Sequence, residues 1–382
     1  MRVLALVGLV SLVAVGTAAA GVRASQAKPR PVTVSVRGRP TTVFSWSSQR
    51  CDDNDIPDTP ARAFRDAQGQ VNLIATHDVD RRFIGPDLNH LRHPCATIMR
   101  SDENPDPADF DDRGWIAATW TLDGRTVYAL VHDEYQGNNH GCVFGYLACW
   151  YNAITLAISR NGGRSYSAAS SRLVASIPYK YSPGGGPAGV FAPTNIVRNP
   201  RDGYLYAIVF RDIQDKDVAN CLIRTKTPGV ASSWRAWSGG TSFNTSFVDP
   251  YGVVDDPAAH SCTDILRGMH PGFSGGSLTY NSVAHQWLRV IQGGDGFYYT
   301  LSPDLINWTY PVRFYAGDFP AAFKCGDPDP IEYPSLMDPA SRSRNFDTSG
   351  ATAYLYYTQF HYQDCRQTLD RDLMRVAVTI RP

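Results

Sequence analysis

Apolar and polar positions alternate along much of the chain, with a period of two that breaks at turns and resumes. ARAFRDAQGQVNLIATHD, GWIAATWTLDGRTVYALVHDE and FAPTNIVRNPRDGYLYAIVFRD each read as a strand, a polar turn and a second strand rich in Tyr, Leu, Ile and Val. SGGSLTYNSVAHQWLRVIQGG and YPSLMDPASRSRNFDTSGATAYLYYTQFH repeat the pattern. Each second strand ends in a polar or charged cluster, and about 50 to 80 residues separate the copies, leaving room for two more strands per unit. No amphipathic helical period intervenes. Five such units predict an all-β fold, a five-bladed β-propeller of four-stranded antiparallel blades with long loops between strands. A β-sandwich is the alternative, but it accounts poorly for five similar hairpins.

The first residues break the pattern. MRVLALVGLVSLVAVGTAAAGVRASQA has a basic start, an apolar run too short to span a membrane, and then small residues. This predicts a secretory signal peptide over residues 1–27, cleaved after Ala20, Ala24 or Ala27. Residues 28–40 read as an extended lead-in, and residues 41–382 as a single catalytic domain. Export to a secreted or periplasmic location makes disulfides of the eight cysteines, none of which forms a CxxC zinc pattern. Proximity suggests pairing in order: Cys51 with Cys95, Cys142 with Cys149, Cys221 with Cys262, Cys325 with Cys365.

Composition narrows the partners. Lys plus Arg equals Asp plus Glu, so the formal charge is zero, which disfavours a nucleic-acid partner or an anionic membrane. The chain reads as a monomer free of the membrane once the leader is cut. Of the acidic residues only three are glutamates, Glu103, Glu134 and Glu332. Two of them sit at strand ends.

Two predicted hairpin turns and three of the units carry a family resemblance. SRNGGRSYS resembles the Asp-box turn of sialidase-like propellers, and LSPDLINWTYP resembles the S-x-D-L-x-x-W turn of five-bladed glycosidases. In both, Asn161 or Asp304 is expected to cap the turn while Tyr166 or Trp308 packs between blades. FAPTNIVRNPRDGYLYAIVF, IPDTPARAFRDAQGQVNLIATH and YPSLMDP with AYLYYTQF resemble the five-bladed propeller glycosidases of the glycoside hydrolase family 43 and 32 type. The resemblance covers most of residues 56–380. It implies a carbohydrate substrate of arabinose type or related, and places Asp58, with Asp55 as neighbour, where the base or nucleophile stands. The second inner strand, GWIAATWT, and the third, FAPTNIV, lack the acids usual in that family.

In a propeller, the starts of inner strands and the ends of second strands share one rim. That gathers Asp55 and Asp58, His77 and Asp78, His132, Asp133 and Glu134, Arg211 and Asp212, and Glu332. Glycosidic hydrolysis needs two carboxyl groups, one held protonated. Glu134, flanked by Asp133, is the expected acid, Asp58 the base or nucleophile, and Glu332 the next candidate. Asp55, His77, His132, Tyr135, Arg211 and Trp150 are expected to bind substrate. The insert NNHGCVFGYLACWYN adds Phe144, Tyr146 and Tyr151 as stacking rings. A polysaccharide lyase would instead use His77 or His132 with Tyr135, and Arg211 to neutralise a uronate. A non-catalytic glycan- or protein-binding propeller is the third reading. Hydrolysis calls for no cofactor, and a structural calcium would draw on Asp52, Asp53 and Asp55 or on Asp327 and Asp329.

Overall fold

The computed structural model describes residues 28–214, 216–267, 269 and 274–382, so the expected leader lies outside the described residues. Strands dominate them, and the single α-helix is the four-residue Trp46–Gln49. Four of the repeated segments fold as the antiparallel pairs that their alternation predicts. In the third, FAPTNIVRNPRDGYLYAIVFRD, the first strand lies earlier, at Ala188–Phe191, and only Val197–Arg198 of FAPTNIVR adds a short pairing. These pairs are Arg62–Arg65 with Val71–Ile74, Arg113–Trp120 with Val127–Gln136, Ala188–Phe191 with Leu205–Ile213, Ser274–Asn281 with Gln286–Gly293, and Ile331–Met337 with Thr352–Gln363. Further antiparallel strands extend each pair into a meander. The second gains Trp150–Ser159 and Ser167–Ala175, for example, and the fourth Gly296–Ser302 and Val312–Ala316.

The fifth meander closes the chain on itself. Its outer strands are Arg366–Arg381 and the N-terminal Thr33–Phe44, paired in antiparallel register with Val34 opposite Ile380. Residues 33–40, expected as a lead-in ahead of the ordered body, are therefore part of that body. Their alternation was too short and too Arg- and Pro-rich to read as a strand.

Sheet hydrogen bonding alone does not divide the chain into five blades. Ala188 and Gly189 pair in parallel with Tyr151 and Asn152, running the second and third meanders into one nine-stranded sheet. The contact requires glycine: Gly189 has φ 133°, and a Cβ there would lie 2.1 Å from the Asn152 carbonyl oxygen.

Hydrophobic packing gives the order instead. Phe64 and Ile74 of the first meander pack with Ile116 and Ala129 of the second, and Leu156 of the second with Val209 of the third. Ile208 of the third packs with Leu278 and Trp287 of the fourth, and Val290 of the fourth with Leu355 of the fifth. Tyr356 and Met337 of the fifth return to Leu73 of the first. Each meander thus buries one face against each neighbour, and the series closes into a ring.

The two outer turns behave as their sequences imply. The Asn161 side-chain oxygen accepts the Arg164 and Ser165 N–H groups, and Asp304 accepts those of Ile306 and Asn307. Tyr166 and Trp308 are buried between meanders. All eight cysteines pair in sequential order.

One side chain sits where the innermost strands meet. Arg62 is fully buried and its guanidinium touches every meander. Nε donates to the Ala117 carbonyl at 2.7 Å, and Nη2 to those of Pro193 and Gly276 at 2.9 and 2.8 Å. Nη1 donates to the Ala61 carbonyl and to Ser335 Oγ at 3.4 and 3.3 Å. Among the described residues no carboxylate faces it, and burial lowers its pKa to about 9. Carbonyl dipoles hold the charge. Arg62→Leu should cost about 3–5 kcal/mol in urea unfolding, because it strands these acceptors in a dry site. A loss below about 1 kcal/mol would show that the ring does not depend on this contact.

Candidate functional site

Above the Arg62 axis lies a cavity of about 270 Å³ whose wall includes Asp58, Trp115, His132, Glu134, Trp150, Phe191, Phe210, Asp212, Glu332 and Tyr333. Period-two alternation decides what reaches it. On Val127–Gln136, His132 and Glu134 face this cavity while Val131 and Asp133 face a different one. On Leu205–Ile213, Phe210 and Asp212 face it while Arg211 turns away.

The backbone is bent to make the wall. Tyr333 has φ 61° and Ala192 has φ 35°, both in the left-handed region that side chains avoid. Tyr333 follows Glu332 at a shift of strand register between Glu332 and Ser335, which aims consecutive side chains at one space.

Asp58 is held on one side. Its Oδ1 pairs with the Arg371 guanidinium and accepts the Tyr333 hydroxyl at 3.2 Å. Its Oδ2 faces His77 Nε2 at 3.8 Å. His77 Nδ1 in turn pairs with Asp78 at 2.6 Å, and Arg113 donates to Asp78 at 2.8 Å. Burial opposes a charge on His77, but Asp78 and Asp58 prevail and raise its pKa.

Glu134 faces a different environment. Burial is the main cause that pushes its carboxyl up to about 7, reinforced by Asp58 and partly offset by the Gln136 donor. The expected contribution of its chain neighbour Asp133 is not the leading one, because that side chain lies across the sheet. Gln136 Nε2 donates to Glu134 Oε2 at 2.9 Å, and the Tyr146 hydroxyl donates to the same oxygen at 3.5 Å. His132 Nδ1 lies 3.9 Å from Oε1. Burial lowers the His132 pKa to about 4, so the ring is neutral near pH 7. With Nε2 set against Asn152 Oδ1 at 2.9 Å, the proton is assigned to Nε2 and the Nδ1 lone pair to Glu134.

Glu332 is the second unusual carboxyl. Burial, then Asp58, raise it to about 8 against the pull of Arg371. The floor between these groups is aromatic: Trp115 meets His77 edge-on at 5.3 Å, and its buried indole N–H has no hydrogen-bond partner among the described residues. Trp150 meets Phe191 edge-on at 5.2 Å and stacks on Tyr146 at 5.6 Å.

Asp58, Glu134, Glu332, His132 and Trp150 therefore share one cavity, with His77 against Asp58. Three expected members lie elsewhere. Asp55 accepts the Cys51 N–H and pairs with His93, both at 2.8 Å, and with Arg81, which serves the loop clipped by Cys51–Cys95. Tyr135 falls on the odd face with Asp133, donates to the Pro105 carbonyl and stacks on His140. Arg211 pairs with Asp217 and donates to the Cys262 carbonyl. Of the acids considered for calcium, Asp52 pairs with Arg81, Asp53 with Arg50 and Asp329 with His361, while Asp327 accepts the Lys324 N–H. Arg371, Tyr333 and Trp115 went unrecognised in the sequence. Arg371 reaches Asp58 from 313 positions away, a contact with no local signature.

No family model and no curated protein matches the chain. Solved structures do. A family 117 glycoside hydrolase from the marine bacterium Zobellia galactanivorans aligns over 90% of this chain and 89% of its own, at 9% identity and TM-score 0.50. A GH43_1 enzyme from Xanthomonas citri aligns over 84% and 87%, at 11% identity and TM-score 0.49. What is shared is the fold, a β-propeller. At such identity the likeness extends no further than that.

The two raised glutamates carry a stability cost. A carboxyl whose folded pKa exceeds its unfolded value favours folding at low pH and loses that advantage as pH rises through the folded pKa. Glu332→Gln should therefore be more stable than the parent by about 2 kcal/mol at pH 9, with the gain vanishing at pH 4. Thermal unfolding at both pH values checks this, and equal stability at pH 9 would contradict the assigned burial.

Proposed function

We propose that the protein is a glycoside hydrolase that cleaves a polysaccharide or oligosaccharide in the Arg62-based cavity. The observation that carries the reading is that Glu134, raised to about 7, shares a wall with Asp58, which is held by Arg371 and Tyr333. Two carboxyl groups in contrasting environments are what acid and base roles require.

In this reading Glu134 protonates the glycosidic oxygen as the bond to the anomeric carbon breaks. Asp58 acts from the other side as base or nucleophile, so that water adds to the sugar and Glu134 is left to recover its proton. Glu332, protonated near neutrality, lies close enough to Asp58 to tune it. The Trp115 indole N–H is a ready donor for a sugar hydroxyl, and Trp115 and Trp150 offer apolar faces to a ring. The sequence resemblance supports an arabinose-type or related glycan as substrate class.

Other elements of the reading rest on coarser support. Four disulfides fit an oxidising, secreted or periplasmic location. Among the described residues no helix is long and apolar enough to cross a membrane. A monomer working without a cofactor completes the proposal. The lyase alternative loses support because Tyr135 and Arg211, its acid and its neutraliser, do not reach the cavity.

The test is a polysaccharide panel read for new reducing ends and for the ultraviolet absorbance of unsaturated uronates. Reducing ends without that absorbance are expected, with Glu134→Gln and Asp58→Asn each lowering turnover roughly 100- to 10,000-fold. Uronate absorbance would favour a lyase, and silence across the panel a binding propeller. A second outcome concerns pH. Because Glu134 must carry its proton, kcat/KM should fall as pH rises through about 7, and a rate still rising at pH 9 would remove Glu134 from the acid role.

A further inference from the structure

The loop between the second and third strands of the second meander is an insert closed by a disulfide. Cys142 and Cys149 are seven positions apart and form one of the four bonds. The ring they close is apolar yet open to solvent: Val143, Phe144 and Leu147 are all exposed. Such a loop has little core of its own to hold it, so the cross-link limits the conformations available to it.

One side chain of the ring, itself about half exposed, reaches the rim of the cavity. Tyr146 stacks on Trp150, a cavity residue, with ring planes 27° apart. Its hydroxyl reaches Glu134 Oε2 at 3.5 Å, and Gln136 Nε2 approaches that hydroxyl at 3.4 Å as well as Glu134 Oε2 at 2.9 Å. Two donors therefore converge on one oxygen of the candidate acid. The other oxygen, Oε1, faces the His132 lone pair.

We propose that Tyr146, delivered by the Cys142–Cys149 clip, is a positioning residue that selects which oxygen of Glu134 carries the transferable proton. The inference rests on the acid role given to Glu134. With Oε2 occupied as an acceptor by Tyr146 and Gln136, the proton resides on Oε1. A hydroxyl donated to the ionised form also stabilises that form, so Tyr146 keeps the carboxyl from rising further. Burial and the charge of Asp58 push the group up, and the loop limits that rise. The phenol is suited to the task because desolvation, then the neighbouring carboxyl, raise its own pKa, so it remains a donor at every pH where Glu134 titrates.

The chain offers a clean readout because it has only three glutamates. With glutamate labelled at the side-chain carboxyl carbon, NMR of the full-length mature protein follows each group through a pH titration, and the spectrum of Glu134→Gln identifies the Glu134 signal by its loss. Tyr146→Phe keeps the ring against Trp150 and removes only the hydroxyl. It should raise the Glu134 midpoint by roughly half a pH unit or more. Cys142→Ser with Cys149→Ser, which frees the ring, should raise it in the same direction while circular dichroism remains that of the folded parent.

An unchanged midpoint in Tyr146→Phe overturns the proposal. A shift in Tyr146→Phe without one in the cysteine pair overturns the part given to the clip. The titration needs no substrate, so it stands apart from the question of hydrolysis. If the midpoint moves but the polysaccharide panel is silent, the fault lies with the catalytic reading and not with the contact.

Discussion

A guanidinium held by carbonyl and hydroxyl oxygens at the meeting point of the inner strands is the constraint on which the rest of the structure depends. Arg62 satisfies its donors with groups from all five meanders, so each inner strand must arrive with an acceptor aimed at one point. Those acceptors adjoin the cavity wall in the chain. Ala61 follows Thr59 and Pro60, Ala117 itself lines the cavity, Pro193 follows Ala192, and Ser335 lies two residues beyond Tyr333. Fixing the axis thus fixes the floor of the site. A buried charge is expensive, and here the fold spreads that expense over carbonyls that would otherwise be unsatisfied at the centre of the ring.

The site above the axis is built against local preference. Ala192 and Tyr333 take left-handed backbone angles, and the acids Glu134, buried, and Glu332, half-buried, have their pKa values raised. Asp80, beside the same strands, is also fully buried, its pKa raised to about 8. Its Oδ1 accepts the Ile116 N–H and the Thr76 hydroxyl, so it pins the end of the first meander to the inner strand of the second. Strain and desolvation of this kind persist only where surrounding packing over-determines them, and the hydrophobic clusters between successive meanders provide that packing.

Most of the architecture was legible because it follows from alternation and turn chemistry, which are local. The five hairpins, the capped turns at Asn161 and Asp304 and the order of the disulfides all rest on short-range signals. The site was legible in part for the same reason: scarcity drew attention to Glu134 and Glu332, and strand ends pointed to the rim. The misplacements of Tyr135 and Arg211 share a cause. Treating a whole polar cluster as rim ignores the period of two, which sends His132 and Glu134 one way and Asp133 and Tyr135 the other. Arg62, Arg371 and Trp115 were out of reach because their meaning lies in contacts between distant segments. An arginine opening an inner strand, RAFR at Arg62–Arg65, was the one signal that could have been followed.

The most direct test of the account is a crystal structure of the Glu134→Gln protein with an oligosaccharide from whichever polysaccharide the active parent degrades. The account predicts a glycosidic oxygen within hydrogen-bonding distance of residue 134, with the anomeric carbon facing Asp58 and the ring over Trp115 or Trp150. A sugar bound on the outer surface of the ring, with the cavity above Arg62 left to solvent, would contradict it.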